Sequence, residues 1–265
     1  MIRNKCSKCD KGSNGDRGTA RQFKLTSLLL LTGVILTGCG GGSGGGAVAP
    51  VGPAAPVGPV ASTLSFPLLQ GYKALVAAGA TKTFIVSGSC TGSGNKTSAP
   101  ATTPAAFEAN PAALSAAVTL TATLANAPGI AGCPPTLAVT STGYFDSTYT
   151  PLGFYSPGVN YGVYLIAPNI PATAVVGVTG VIGTETLYTD ITKVTGNGRI
   201  DVSYVVEADT ATTAIVNLIG KIYTAAGTLS ATEQDRYRIA ATGALVPVSA
   251  DILYSTGTHL VFTYN

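Results

Sequence analysis

The sequence predicts a mainly β protein, an antiparallel β-sandwich or barrel with one short helix near the start of the globular part. Three observations carry that reading. Apolar and polar residues alternate over short stretches, as in Val118, Leu120, Ala122 and Leu124 against Thr119, Thr121 and Thr123, the period of a half-buried strand. Such stretches recur about every ten residues between Gly, Asn and Thr, the spacing of an all-β sandwich or barrel. The chain is 46% hydrophobic and only 10% charged, enough apolar surface to close a sizeable core.

In chain order, Leu68, Leu69, Tyr72, Leu75 and Val76 fall near one helical face between Pro67 and Gly79, which predicts the single helix. Thr83 to Cys90 alternates as a strand, with Phe84, Val86 and Cys90 on one side. Thr91 to Pro111, rich in Ser, Thr, Pro and Ala, reads as a long exposed loop. The strand ending at Leu124 follows, and then turn chemistry at Gly132-Cys133-Pro134-Pro135. Tyr144 to Tyr164 is interrupted by Asp146, Pro151, Gly153, Pro157 and Gly158 and reads as a looped segment between strands.

From Val175 onward the alternation strengthens. Ile200, Val202, Tyr204 and Val206 oppose Arg199, Asp201, Ser203 and Glu207 after a Gly196-Asn197-Gly198 turn. Ile215 to Tyr223 is a more continuous apolar run, fit for a central strand. Arg236 and Arg238 alternate with Tyr237 and Ile239, Pro247 marks an edge or bulge, and Leu260, Phe262 and Tyr264 share a face after Ser255-Thr256-Gly257. Within Gly177 to Gly183 the glycines have the wrong spacing for a dinucleotide loop and are read as bends.

Ahead of the globular part lies a different kind of sequence. Arg17, Arg21 and Lys24 precede the apolar run Leu25 to Leu36, which is shorter than the ~20 residues a spanning helix needs and has the form of a secretory signal. The run ends in Leu36-Thr37-Gly38-Cys39, which resembles the bacterial lipobox. The resemblance implies that Cys39 is acylated and becomes the mature amino terminus, and that Gly40 after it directs the protein to the outer membrane. Residues 1–38 are then a signal peptide, 39–62 a Gly/Pro-rich tether with a reach of a few tens of ångströms, and 63–265 the β-rich globular domain, with a division into two sub-domains near 156 as an alternative.

Charge and cysteine usage fit that partition. Residues 1–38 carry seven basic and two acidic side chains, leaving eight basic and ten acidic in the remainder, so the formal net charge of +3 belongs to the leader. No basic footprint for nucleic acid survives. Cys6-Ser7-Lys8-Cys9 lacks the second pair that a structural zinc site needs and would leave with the leader. With Cys39 acylated, Cys90 and Cys133 remain and are expected to form a disulfide in an oxidising compartment.

Seven aromatics fall between Tyr144 and Tyr164, and two readings of them stay open. Either they cover one end of the core, or Tyr144, Tyr149, Tyr155, Tyr161 and Tyr164 form a surface for a protein or glycan partner, since tyrosine combines a large ring with a polar handle. His259 is the only histidine, so there is no two-histidine metal site, no H-E-x-x-H and no nucleophile elbow. No catalytic, metal or cofactor residues are assigned. Asp201, Glu207 and Asp209 read as solvated strand charges. The expected function is a membrane-anchored, non-catalytic envelope lipoprotein that binds a partner. The competing readings are a hydrolase using acids such as Asp146 and Asp190, and a purely structural envelope protein.

Overall fold

The computed structural model describes residues 58–130 and 132–265. Cys39, the lipobox, the Cys6–Cys9 pair and most of the tether lie outside the described residues. The chain forms a helix α1 (Leu68–Ala78) and thirteen strands: β1 (Ala80–Gly88), β2 (Cys90–Ser98), β3 (Thr103–Phe107), β4 (Asn110–Asn126), β5 (Thr136–Phe145), β6 (Pro151–Ser156), β7 (Asn160–Tyr164), β8 (Thr179–Tyr188), β9 (Gly196–Thr210), β10 (Thr213–Tyr223), β11 (Leu229–Ala240), β12 (Leu245–Tyr254) and β13 (His259–Tyr264). Every pairing is antiparallel, consecutive strands lie side by side except β2 and β3, and β1 pairs with β13 while β2 pairs with β4. The sheet therefore closes into a twelve-stranded barrel, with β3 as a short hairpin partner on the first half of β4. Closure leaves no edge strand on the ring.

Helix α1 forms where the spacing places it. Leu68, Gly71, Tyr72, Leu75 and Val76 are its buried residues, at i, i+3, i+4, i+7 and i+8, and Gly79 ends it with φ of 65°. Gly71 is required by contact: a Cβ there would stand 2.1 Å from the carbonyl oxygen of Gly243 in the β11–β12 turn. Phe66 exchanges backbone hydrogen bonds with Ala174, and the Ala101 amide donates to the Val76 carbonyl. The helix is thus stitched across one mouth of the barrel, which we call the helix end.

The lumen is filled by two apolar clusters. One gathers α1 with the inward residues of β8–β12, among them Leu187, Ile200, Val202, Val206, Val216 and Ile239. The other joins Phe84 and Val86 of β1, Leu120, Ala122 and Leu124 of β4, and Leu260 and Phe262 of β13. At the mouth opposite the helix, Cys90 and Cys133 form a disulfide across 43 residues, joining β2 to the β4–β5 connection. Outward positions of β4 carry Thr119, Thr121 and Thr123, whereas Ile85 of β1 and Leu253 of β12 stand exposed on the outer wall. No helix among the described residues is long and apolar enough to cross a membrane.

Two stretches depart from the sequence expectations. Thr91 to Pro111 is not a loop: it holds most of β2 and all of β3. Its inward positions include Gly92 and Gly94, so no apolar alternation announces a strand. The glycines are needed because a Cβ on Gly94 would lie 2.7 Å from the Phe84 ring and 2.1 Å from the Thr121 carbonyl oxygen. Tyr144 to Tyr164 likewise contains β6 and β7, two short strands joined at residues 157–159 within one continuous sheet. At Pro247 the register slips between Arg236 and Tyr237, the bulge that the proline announces.

Candidate functional site

Because side chains alternate across each strand, register decides which tyrosines share a surface. Tyr155 pairs with Tyr161, and Tyr161 with Tyr188, so three rings stand in one transverse row on the outer faces of β6, β7 and β8. Tyr144, on the outer face of β5 opposite Gly153, stands beside the row. Tyr144, Tyr155 and Tyr188 are half-buried, and Tyr161, in the centre, is 6% exposed.

Phe107, at the end of β3, folds over the strip. It stacks on Tyr144 with centroids 4.3 Å apart and tilts against Tyr161 at 5.4 Å, while Tyr155 meets Tyr161 edge-on at 6.1 Å. Gly153 makes room, since a Cβ there would sit 2.8 Å from the Phe107 ring. Glu108, at positive φ in the hairpin tip, accepts a hydrogen bond from the Tyr161 hydroxyl at 2.6 Å and forms an ion pair with Lys193 of the β8–β9 loop. Burial works against the Glu108 carboxylate, but the Lys193 and Tyr161 hydrogen bonds outweigh it and hold its pKa below the usual value. Tyr161 is shifted the other way, raised by burial and by the Glu108 carboxylate.

Two of the five tyrosines grouped by sequence do not belong to this strip. Tyr164 is three residues from Tyr161, so it has the opposite parity and turns inward; its hydroxyl is buried and has no hydrogen-bond partner. Tyr149 sits in the β5–β6 turn at the helix end with φ of 63° and packs against the α1 cluster. Tyr188 takes the place they leave. Its parity with Thr186, opposite Leu187, was the available signal, but it lay outside the aromatic-rich window.

A second polar region lies inside the barrel. Glu233 and Asp235 of β11 and Glu185 of β8 are each less than 5% exposed. Around them stand Tyr72 of α1, Tyr164, Tyr237, Tyr254 and Tyr264, with Lys96 of β2 interacting with Tyr264, Asp235 and Glu233. Burial drives the Glu185 carboxyl up to about 8. Asp235 is also raised by burial, with Lys96 opposing, and its Oδ2 has no hydrogen-bond partner. At Lys96 burial pushes the ammonium down, but Tyr264, Asp235 and Glu233 outweigh it and the net shift is upward. The hydroxyls of Tyr72, Tyr164 and Tyr254 are buried without partners. The sequence held one clue: Glu233 and Asp235 share the parity of Tyr237 and Ile239. Lys96 had none, because its inward neighbours on β2 are glycines and a serine.

The apolar cavity beneath the helix, lined in part by Leu68, Tyr72, Ile182, Leu218 and Tyr237, does not reach these carboxylates through its lining. Among the described residues no group of three or more His, Cys, Asp or Glu side chains is placed to hold a metal ion.

The remaining sequence-level candidates have local roles. Asp146 accepts from the amides of Thr148 and Thr150 in the β5–β6 turn, and Asp190 accepts from the amide and hydroxyl of Thr192 in the β8–β9 loop. These turns lie at opposite ends of the barrel, so the two acids share no cleft. On the outer wall Asp201 pairs with Arg199, Glu207 with Arg236 and Asp209 with Arg238. His259 Nε2 lies 2.8 Å from Asp251 Oδ1 on the same wall.

Fold and surface together define a closed up-and-down β-barrel with an apolar, acid-bearing lumen and an aromatic strip on its outer wall. No protein-family model matches the chain, and no curated protein or solved structure matches it.

Proposed function

We propose that the chain is a membrane-anchored lipoprotein of the bacterial envelope, held at the outer membrane through Cys39, and that its barrel is a non-catalytic module binding a glycan through the outer tyrosine strip. The observation that carries the binding reading is the transverse row Tyr155–Tyr161–Tyr188 with Tyr144 beside it. Tyr144, Tyr155 and Tyr188 keep accessible surface while they pack against the buried Phe107 and Tyr161, the latter held by Glu108. A ligand that stacks on them meets groups that have already lost their rotational freedom, which lowers the entropic cost of association.

On its β5 side the strip adjoins an uncharged wall, and the charges at and beyond its other side, Glu108 with Lys193 and Arg199 with Asp201, are paired with each other. The outward residues of β2, β4 and β5 beside the strip include Thr91, Ser93, Asn95, Thr97, Thr119, Thr121, Thr140 and Thr142, and no charged side chain. Thr121 donates to Asn95 at 3.0 Å, so this wall already carries side-chain hydrogen bonding. Neutral hydroxyls beside aromatic rings match the two faces of a pyranose, one apolar and one hydrogen-bonding. The test is retardation of the protein on immobilised neutral polysaccharides and on peptidoglycan sacculi. The native chain is expected to be retained by at least one of them, and the double variant Tyr155→Ala, Tyr188→Ala to elute unretained with its thermal transition kept. Equal retention of the double variant would end this reading.

A further inference from the structure

At the helix end the β7–β8 connection presents apolar side chains to solvent. Leu165 is 68% exposed and Ile166 83%, and Val181, at the start of β8, is 74% exposed. Val178, Val175 and Leu64, also toward this end, are 43%, 38% and 39% exposed. The loop is held in place rather than splayed. The Asn169 amide donates to the Ile182 carbonyl at 2.7 Å, the Gly177 amide to the Val206 carbonyl at 2.8 Å, and Ala174 is paired in both directions with Phe66. The first pair brings the Leu165–Ile166 segment back alongside Val181. Between Asp146 and Glu185 the chain carries no Asp, Glu, Lys or Arg, so the loop itself brings no charge to the rim, while Asp146 and the Asp209–Arg238 pair stand elsewhere at the same end.

The place where the chain enters the barrel says what covers this rim. The Val60 amide donates to the Asp209 carbonyl at 3.2 Å, and the Ser62 hydroxyl to the Ala211 carbonyl at 2.8 Å, both at the helix end. Only eighteen residues separate Cys39 from Gly58, the first described residue. A lipid on Cys39 would therefore tether the domain by this mouth, and not the disulfide-bearing one, at a high effective concentration of membrane surface. The opposite end also exposes Ile191 and Val194, but these alternate with Asp190 and Lys193 in a charged loop.

We infer that the rim formed by Leu165, Ile166, Val178 and Val181 is a membrane-docking surface that seats in the headgroup and acyl boundary of the bilayer holding the anchor, with the helix end down and the disulfide end outward. This rests on the proposed acylation of Cys39. Two exposed branched side chains in tandem, backed by valines and free of charge, are the composition of an interfacial contact, and a single lipid anchor leaves orientation unset. Docking the rim sets it, and holds the tyrosine strip on the side wall, clear of the membrane.

The chain contains no tryptophan, so a single one reports its own surroundings. Ile166→Trp and, as the distal control, Val194→Trp replace side chains more than four-fifths exposed. Each acylated variant is reconstituted into phosphatidylethanolamine–phosphatidylglycerol vesicles with and without brominated acyl chains. Flotation with the vesicles, lost in Cys39→Ser, reads the anchor; blue shift and bromolipid quenching read the rim. The expected result is flotation of both variants, with shift and quenching at position 166 alone. Flotation with no quenching at 166, or with quenching at 194 instead, overturns the docking surface and leaves the anchor standing. Failure of the acylated chain to float overturns the anchor and the docking surface with it.

Discussion

The outer strip and the lumen use the same residue type under opposite conditions. Outside, Tyr144, Tyr155 and Tyr188 keep accessible surface, and the carboxylate beside Tyr161, Glu108, has a cationic partner that lowers its pKa. Inside, Tyr72, Tyr164 and Tyr254 bury hydroxyls without partners, and Glu185 is raised because burial disfavours its charge. Tyr161, whose hydroxyl donates to Glu108, is itself buried and anchors the part-exposed rings packed around it. Tyr72, Tyr164 and Tyr254 add bulk to the core and leave a polar group to be tolerated. The difference separates the proposed recognition surface from an interior whose polarity is a cost to stability, and it gives the two regions opposite responses to pH.

The largest expected effect is on the lumen side. Glu185 is 2% exposed and its folded pKa of about 8 lies above the unfolded value of 4.5. The folded state therefore holds a proton that the unfolded state has lost between those values, and the stability this group contributes is fully present below pH 4.5 and lost as pH rises through 8. Glu185→Gln keeps the neutral shape and removes the titration. It is expected to match the native chain at pH 4 and to exceed it at pH 9 by on the order of 5 kcal/mol in urea unfolding, the free-energy equivalent of the shift. A constant difference across that range would contradict a buried neutral Glu185.

Next comes the clasp, with the opposite sign. The lowered pKa of Glu108 means its contribution is present above the unfolded carboxylate pKa and lost as pH falls through the folded one. Glu108→Ala removes the Tyr161 hydrogen bond and the Lys193 ion pair, and is expected to cost about 1–2 kcal/mol at pH 7 and less at pH 3. Hydrogen exchange at the β3–β4 hairpin should rise with it. If the hairpin amides stay as protected as in the native chain, the clasp does not hold Phe107 over the strip.

The smallest expected effect is at Tyr72→Phe. Its hydroxyl is buried without a partner, so its loss removes an unsatisfied group, and the change should be neutral or stabilising by up to about 1 kcal/mol. A loss of 2 kcal/mol or more in urea unfolding would show that the hydroxyl has a partner after all.

Legibility in the sequence followed the same inside–outside division. Where inward residues are large and apolar, as along Ile200, Val202, Tyr204 and Val206 or Leu260, Phe262 and Tyr264, alternation alone placed strand and face. The helix and the bulge at Pro247 were equally readable from local chemistry, and the Cys90–Cys133 bond from the count of cysteines left to the globular part. Where inward residues are Gly92, Gly94 and Lys96, the strand exists because β1 and β4 pair with it on both sides, and pairing across 26 residues from Asn95 to Thr121 leaves no local mark. The tyrosine strip was half legible. The window of aromatics was visible, but which of them share a face depended on the register of β6 and β7, two strands too short to show a period. The lumen acids were missed although Glu233 and Asp235 share parity with Tyr237, because polar residues in an alternating segment are ordinarily assigned to solvent.

The most direct test of the account sets the two groups of tyrosines against each other in one assay. Polysaccharide retention is measured for the native chain, for Tyr155→Ala with Tyr188→Ala on the outer wall, and for Tyr72→Phe with Tyr164→Phe in the lumen. The expected result is retention of the native chain and the lumen variant and none for the outer variant, all three folded by circular dichroism. Retention lost in the lumen variant and kept in the outer one would contradict the assignment of recognition to the strip and move the binding site inside the barrel.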